Sequence, residues 1–133
     1  MIRTDIDIKD DLYAFIKASS LVSMVSGSLY KDSRPLNSEK EDITIAVLAR
    51  DAGSQIQVAT VNVNIYVPDI RRGKEAVEDI ARLRELATAS SELLEYQHFG
   101  DCIVTLDSQE IMPANGIDWH VINNRLRIRY NNE

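Results

Sequence analysis

Few residues in this chain could do chemistry, and their spacing decides most cases. A zinc site draws on cysteine and histidine at close spacing, and the sequence offers only His98, Cys102 and His120. His98 and Cys102 are four apart but flank Gly100 at an expected loop-to-strand junction, where helical geometry cannot bring them together. His120 follows Trp119 at the start of a strand and reads as a surface or cross-strand residue. Asp5, Asp7, Asp10 and Asp11 suggest calcium at first sight. An EF-hand loop needs glycine at its sixth position and glutamate at its twelfth, and this stretch places Asp10 and Ile16 there. The aspartates therefore read as a charged entry into a helix. Gly27, Gly53, Gly73, Gly100 and Gly116 stand singly at turns and element boundaries, so they form no phosphate-cradling loop. No serine has the Gly-x-Ser-x-Gly setting of an exposed nucleophile, and two histidines leave few general bases. The expectation is a protein without catalytic residues, metal ligands or a cofactor, and not an enzyme.

One charged pattern does stand out. Arg125, Arg127 and Arg129 alternate with Leu126, Ile128 and Tyr130, which puts three guanidinium groups on one sheet face and the apolar residues on the other. Arginine makes forked contacts with carboxylates and phosphates, so such a row suits an acidic partner surface. The plainer reading is a solvated outer face that also discourages edge pairing. An acidic tract occurs in Glu39, Glu41 and Asp42, and in a homo-oligomer it could meet the arginines of a neighbour.

Composition narrows the setting of these residues. A chain of 133 residues, 44% hydrophobic and 27% charged, fits one globular domain spanning 1–133. Fifteen Lys and Arg stand against twenty-one Asp and Glu, and the resulting formal charge of −6 argues against a general nucleic-acid binder. The lone Cys102 cannot form an internal disulfide and reads as a small buried side chain. No apolar run approaches the roughly 18 to 20 residues of a membrane span, and an acidic start in place of a secretion signal makes the cytoplasm the default compartment.

The elements that would carry these residues follow from periodicity. Leu12, Phe15 and Ile16, preceded by Asp10 and Asp11, predict a helix over about 9–18; Val22 and Val25 predict a helical turn near 20–25, stopped by Gly27. Residues 28–31 read as a short strand, and the polar stretch 32–42 as a loop. Ile43, Ile45 and Val47 alternate, and after a turn at 51–54 a second alternating run reaches Val67, making a hairpin ended by Pro68. In that run the apolar phase moves from Ile56 and Val58 to Val61, Val63 and Ile65, which predicts a β-bulge at Ala59 or Thr60. A long helix is expected over 73–95, with Ala76, Ile80, Leu83, Ala87 and Leu94 as its buried stripe. Its charged face, with Glu78 and Arg82 paired at i, i+4, would be solvated. A second hairpin, from Cys102 through a turn at Pro113–Gly116 to Trp119–Tyr130, closes the chain. This order gives an α+β fold: an antiparallel or mixed sheet of about four to five strands, with the long helix and the N-terminal helix packed on one face.

Three segments carry a family resemblance. The run Leu21-Val22-Ser23-Met24-Val25-Ser26-Gly27 leading to Ser28-Leu29-Tyr30, the loop Arg34-Pro35-Leu36-Asn37-Ser38, and Glu41-Asp42-Ile43-Thr44-Ile45 resemble the tail completion, or tail terminator, proteins of long-tailed phages and prophages. Val61-Asn62-Val63-Asn64-Ile65-Tyr66-Val67 looks like their long core strand, and the order of elements is similar over nearly the full chain. The resemblance implies a structural virion protein that self-associates into a ring, often a hexamer, at the head-proximal end of the tail tube. Such a ring ends tube polymerisation and joins the tube to head connector proteins. It also implies assembly in the bacterial host cytoplasm, a final place in the virion, DNA passing through without specific binding, and no membrane partner. A head–tail adaptor or other neck protein is the alternative within the same class. A small-molecule-binding or enzymatic α+β domain is the alternative outside it, and would call for a deep polar pocket.

Overall fold

The computed structural model describes residues 3–51 and 56–131, and its first helix begins earlier than the apolar spacing suggests. Helix α1 (Asp5–Lys17) opens on a capping box, in which the Asp7 amide donates to the Thr4 hydroxyl and the Thr4 amide to the Asp7 carboxylate. Asp10 and Asp11 thus lie within the helix and not at its entrance. Ile8, Leu12 and Ile16 form its buried stripe. Helix α2 (Leu21–Met24) ends where Val25 turns extended. Gly27 is not its stop but a point of close approach, since a Cβ there would meet the Asp42 carboxylate at 2.0 Å.

Strand β1 (Leu29–Lys31) pairs parallel with β2 (Ile43–Asp51), and β2 pairs antiparallel with β3 (Ile56–Pro68). The turn expected at 51–54 lies, beyond Asp51, outside the described residues. β3 alternates without a break, burying Gln57, Ala59, Val61, Val63, Ile65 and Val67. The bulge expected at Ala59 or Thr60 is instead in the partner strand, where the register slips between Val47 and Ala49 at Leu48. The apolar pattern misleads because Ile56 and Val58 point away from the core. Gln57 is buried with backbone partners: its Oε1 accepts from the Arg3 amide at 2.8 Å and its Nε2 donates to the Arg3 carbonyl at 2.7 Å.

The long helix is shorter than expected at its start. Strands β4 (Ile70–Arg72) and β5 (Glu75–Val77) form a small separate sheet that turns at Gly73, whose φ of 64° suits glycine. Helix α3 (Ile80–Leu94) begins only after Asp79, whose carboxylate accepts from the Arg82 amide as an N-cap. Ala76 and the charged Glu75 therefore belong to the arm, not the helix. Leu83, Ala87 and Leu94 are buried as expected, whereas Ile80 is 58% exposed.

Strands β6 (Tyr96–Phe99), β7 (Cys102–Pro113) and β8 (Trp119–Asn131) complete a mixed six-stranded sheet in the order β1-β2-β3-β8-β7-β6. The strand count exceeds the expected four to five because β6 and the two-stranded arm have no clear alternation to announce them. Both α1 and α3 pack on one face, as the sequence suggests, over Ile43, Ile45, Val61, Val63, Val104 and Leu126. Ser90 on α3 joins Gln109 and Asn124 of the sheet in a buried hydrogen-bonded cluster. A second bulge, between Leu106 and Ser108, bends β7 where it pairs with β8.

Candidate functional site

With both helices on one side, the other face of the sheet is open. Arg125, Arg127 and Arg129 stand on that face and are exposed, while Leu126, Ile128 and Tyr130 are buried behind them. β8 lies between β3 and β7, so the row runs down the middle of the sheet and not along an edge. Its use as a guard against edge pairing does not apply. The cross-strand neighbours are Asn62, Thr60 and Val58 on one side and Ser108, Thr105 and Ile103 on the other. None carries a charge, and no side-chain ion pair involves the three arginines among the described residues. Beside Arg125, a groove of about 470 Å³ is lined by Asn62, Asn64, Tyr66 and Asn123. The Asn62 Oδ1 is buried there without a hydrogen-bond partner.

The acidic tract does not stay together as a surface. Glu39 is exposed, but Glu41 and Asp42 are 8% and 1% exposed. Arg82 of α3 turns inward to grip Glu41 with two nitrogens, each 2.7 Å from a carboxylate oxygen, and donates also to the Met24 carbonyl. This pairing, not Glu78 at i, i+4, is where the Arg82 charge goes; Arg82 further reaches Glu85 at 3.1 Å. The Arg82 guanidinium holds the Glu41 carboxyl below its usual range against the opposing effect of burial, and Glu41 in turn raises Arg82. Asp42 accepts from the Ser28 amide at 3.1 Å and the Ser38 hydroxyl at 2.6 Å, and pairs with Arg34 at 3.2 Å. Two of the three acids are thus taken up inside the fold, and the expected contact of the whole tract with the arginines of another copy does not fit.

Arg34, which the sequence presents only as part of the loop Arg34–Ser38, organises residues 32–42. Its guanidinium lies 4.6 Å from the Tyr66 ring and 4.3 Å from the Trp119 ring, on the open face, and donates to the Ser38 and Lys40 carbonyls. No spacing rule links residues so far apart in sequence. A lone arginine in a Pro- and Asn-containing loop, with an aromatic residue on each of two distant strands, is the only signal available.

The other reactive side chains are dispersed. Cys102 is buried beside Tyr130, and burial pushes its thiol up to about 11, which leaves it protonated and unreactive near neutral pH. Tyr130 is likewise raised, chiefly by burial, and donates to Asp11. His120 pairs with Pro113 at the far end of β8 from Cys102, ten residues along the strand from Tyr130. It lies 2.7 Å from Asp69. His98 is exposed on β6. Asp5 pairs with Arg50, Asp10 with Lys31, and Asp7 caps α1, so the N-terminal aspartates each have a structural partner. Among the described residues no cluster of three or more His, Cys, Asp or Glu could hold a metal, and no helix is long and apolar enough to cross a membrane.

A second groove, of about 480 Å³, runs between α3 and β7 on the covered side. Ile80, Leu83, Ala87 and Ile111 supply its apolar wall, with Glu78 and Arg84 at its rim.

No family model matches this chain, and no curated protein does. Among solved structures, a chain from the virion of a native gene transfer agent particle is similar, with a TM-score of 0.58 at 13% identity. The match covers 90% of this chain and 91% of that one. At this identity the likeness is one of fold, and it spans nearly the whole of both chains.

Proposed function

We propose that this chain is a structural subunit of a phage-like virion, of the tail-terminator kind. It forms a ring at the head-proximal end of the tail tube, ends polymerisation of the tube, and joins it to the head connector. The observation that carries this reading is the fold likeness to a virion chain of a gene transfer agent over nine-tenths of both lengths. The sequence resemblance to tail completion proteins supports it by a separate route.

The mechanism is docking, with no bond made or broken. Adjacent arginines on one strand face are about 7 Å apart, and their repulsion in water is about 0.6 kcal/mol per pair. That is small enough for a free subunit to tolerate and is relieved when an acidic partner covers the row. The unpaired Asn62 oxygen beside it also gains a partner on coverage. A formal charge of −6 fits a ring through which the duplex slides without being held tightly.

The test is tube growth. The cognate tail-tube protein is polymerised with and without this chain, and tube lengths and ends are measured by electron microscopy. A terminator yields shorter tubes, each carrying an extra ring at one end. Tubes of unchanged length with bare ends overturn the reading. Rings that bind the connector but leave tube length unchanged favour the head–tail adaptor.

A further inference from the structure

We infer that loop 32–42 and the groove between α3 and β7 are the two halves of a head-to-tail contact between copies of this chain, with Leu36 of one copy seated in the groove of the next. The inference rests on the assembly reading above and names the residues that build the contact.

Leu36 is 92% exposed, the most exposed of the large hydrophobic side chains in the described residues. It does not sit on slack chain. Arg34, two residues before it, is clamped between Tyr66 and Trp119 and bound to Asp42, while Ser38, two residues after it, donates to the same carboxylate. A loop fixed in this way presents its apolar side chain with little ordering cost left to meet on binding.

The groove is the matching half. Ile80 and Ile111 are 58% and 46% exposed along it, and Leu83 and Ala87 close its floor. At about 480 Å³ it has room for a leucine side chain and its flanks. The rims complement each other in charge: Glu39 and Lys40 follow Leu36 on the loop, and Arg84 and Glu78 line the groove. A second copy of the chain supplies both signs at once, which makes it the occupant favoured here.

Placement completes the argument. Tyr66 and Trp119, which hold the loop, point to the open face of the sheet, whereas Gln109 and Ile111 of the groove point to the face covered by α3. Knob and hole on opposite faces of one subunit cannot satisfy each other within it. They repeat from copy to copy and close into a ring when the rotation between copies permits.

The experiment compares sedimentation of the full chain with that of Leu36→Glu and Thr88→Trp, over a wide concentration range. Leu36 is exposed and Thr88 lies at the open mouth of the groove, so neither change touches the core. Losing the burial of one leucine weakens association about ten- to hundredfold. Each variant is expected to show a loss of that size with an unchanged melting temperature. Glu39→Lys and Arg84→Glu are each expected to weaken association and together to restore part of it. A wild-type chain that self-associates while Leu36→Glu does so equally well overturns the inference and leaves the assembly reading standing. An effect of Leu36→Glu with none from Thr88→Trp also overturns it, because Leu36 then docks elsewhere. A wild-type chain that stays monomeric throughout overturns the inference, and the assembly reading falls with it only if the chain also stays monomeric with the tail-tube protein added.

Discussion

Arg82 and Glu41 are forty-one residues apart in sequence and meet through two hydrogen bonds at the junction of α2, α3 and the start of β2. Glu41 also accepts from the Ser26 amide, and its own amide donates to the Ser26 hydroxyl. Breaking such a largely buried pair leaves Arg82 with only the exposed Glu85 as its counter-ion, so Glu41→Gln is expected to cost about 1–3 kcal/mol at pH 7 by urea unfolding. The sign with pH follows from the lowered carboxyl. The folded state binds the Glu41 proton less readily than the unfolded chain, whose value is near 4.5, so the stabilisation is present above that pH. It is lost as pH falls through the folded value. The gap between wild type and Glu41→Gln should therefore narrow below about pH 4.5; parallel pH curves would contradict the assignment. This pair also marks a limit of reading residues in line. The sequence displays Glu39, Glu41 and Asp42 as one acidic tract, but nothing local says that two of them are taken by Arg82 and Arg34 from elsewhere. The arginine row was legible, because alternation alone decides which face a strand residue occupies. For that row, Arg127→Glu is expected to weaken self-association or partner binding while shifting the melting temperature by less than about 3 °C, in line with a surface change within about 0.5 kcal/mol. Unchanged association in sedimentation would remove the row from the interface.

Among the elements, those with a clean apolar period were readable: α1, β3 as a long strand, β8, and the buried half of α3. The failures have physical causes. Glu75, Ala76 and Val77 carry no strong bias against helix, and only the left-handed Gly73 and the cap at Asp79 place them in a hairpin arm. Ile56 and Val58 imitate a core phase that Gln57 and Ala59 in fact occupy. The arm itself stands apart from the main sheet, tied at its base where the Asp69 amide donates to the Asp118 carbonyl and Arg71 reaches Asp118 at 3.4 Å. A two-stranded ribbon has little stability of its own. Hydrogen exchange is expected to be fast over 70–77 and slowest in β3 and β8, which open only with the whole sheet. Protection of the arm equal to that of β3 would show that it packs on the body far more firmly than its contacts indicate.

For the whole molecule, the decisive feature is asymmetry. Among the described residues, one face of the curled sheet is sealed by α1 and α3, and the other presents three arginines without an ion-pair partner, a fixed loop and an orphaned amide oxygen. Under the proposed function, a partner covering that face would pair the arginines and the orphaned oxygen. The α+β class and the placement of both helices on one face were accessible from periodicity, which left the sheet antiparallel or mixed; the assembly surfaces were not, because they depend on which side chains the fold consumes internally. The most direct measurement is the solution mass of the purified full chain by sedimentation across concentration, repeated with the tail-tube protein present. Docking subunits give a discrete closed ring under at least one of these conditions. A monomer that persists through all of them, at the highest concentration and with the tube protein added, would contradict the claim that this chain works by assembly.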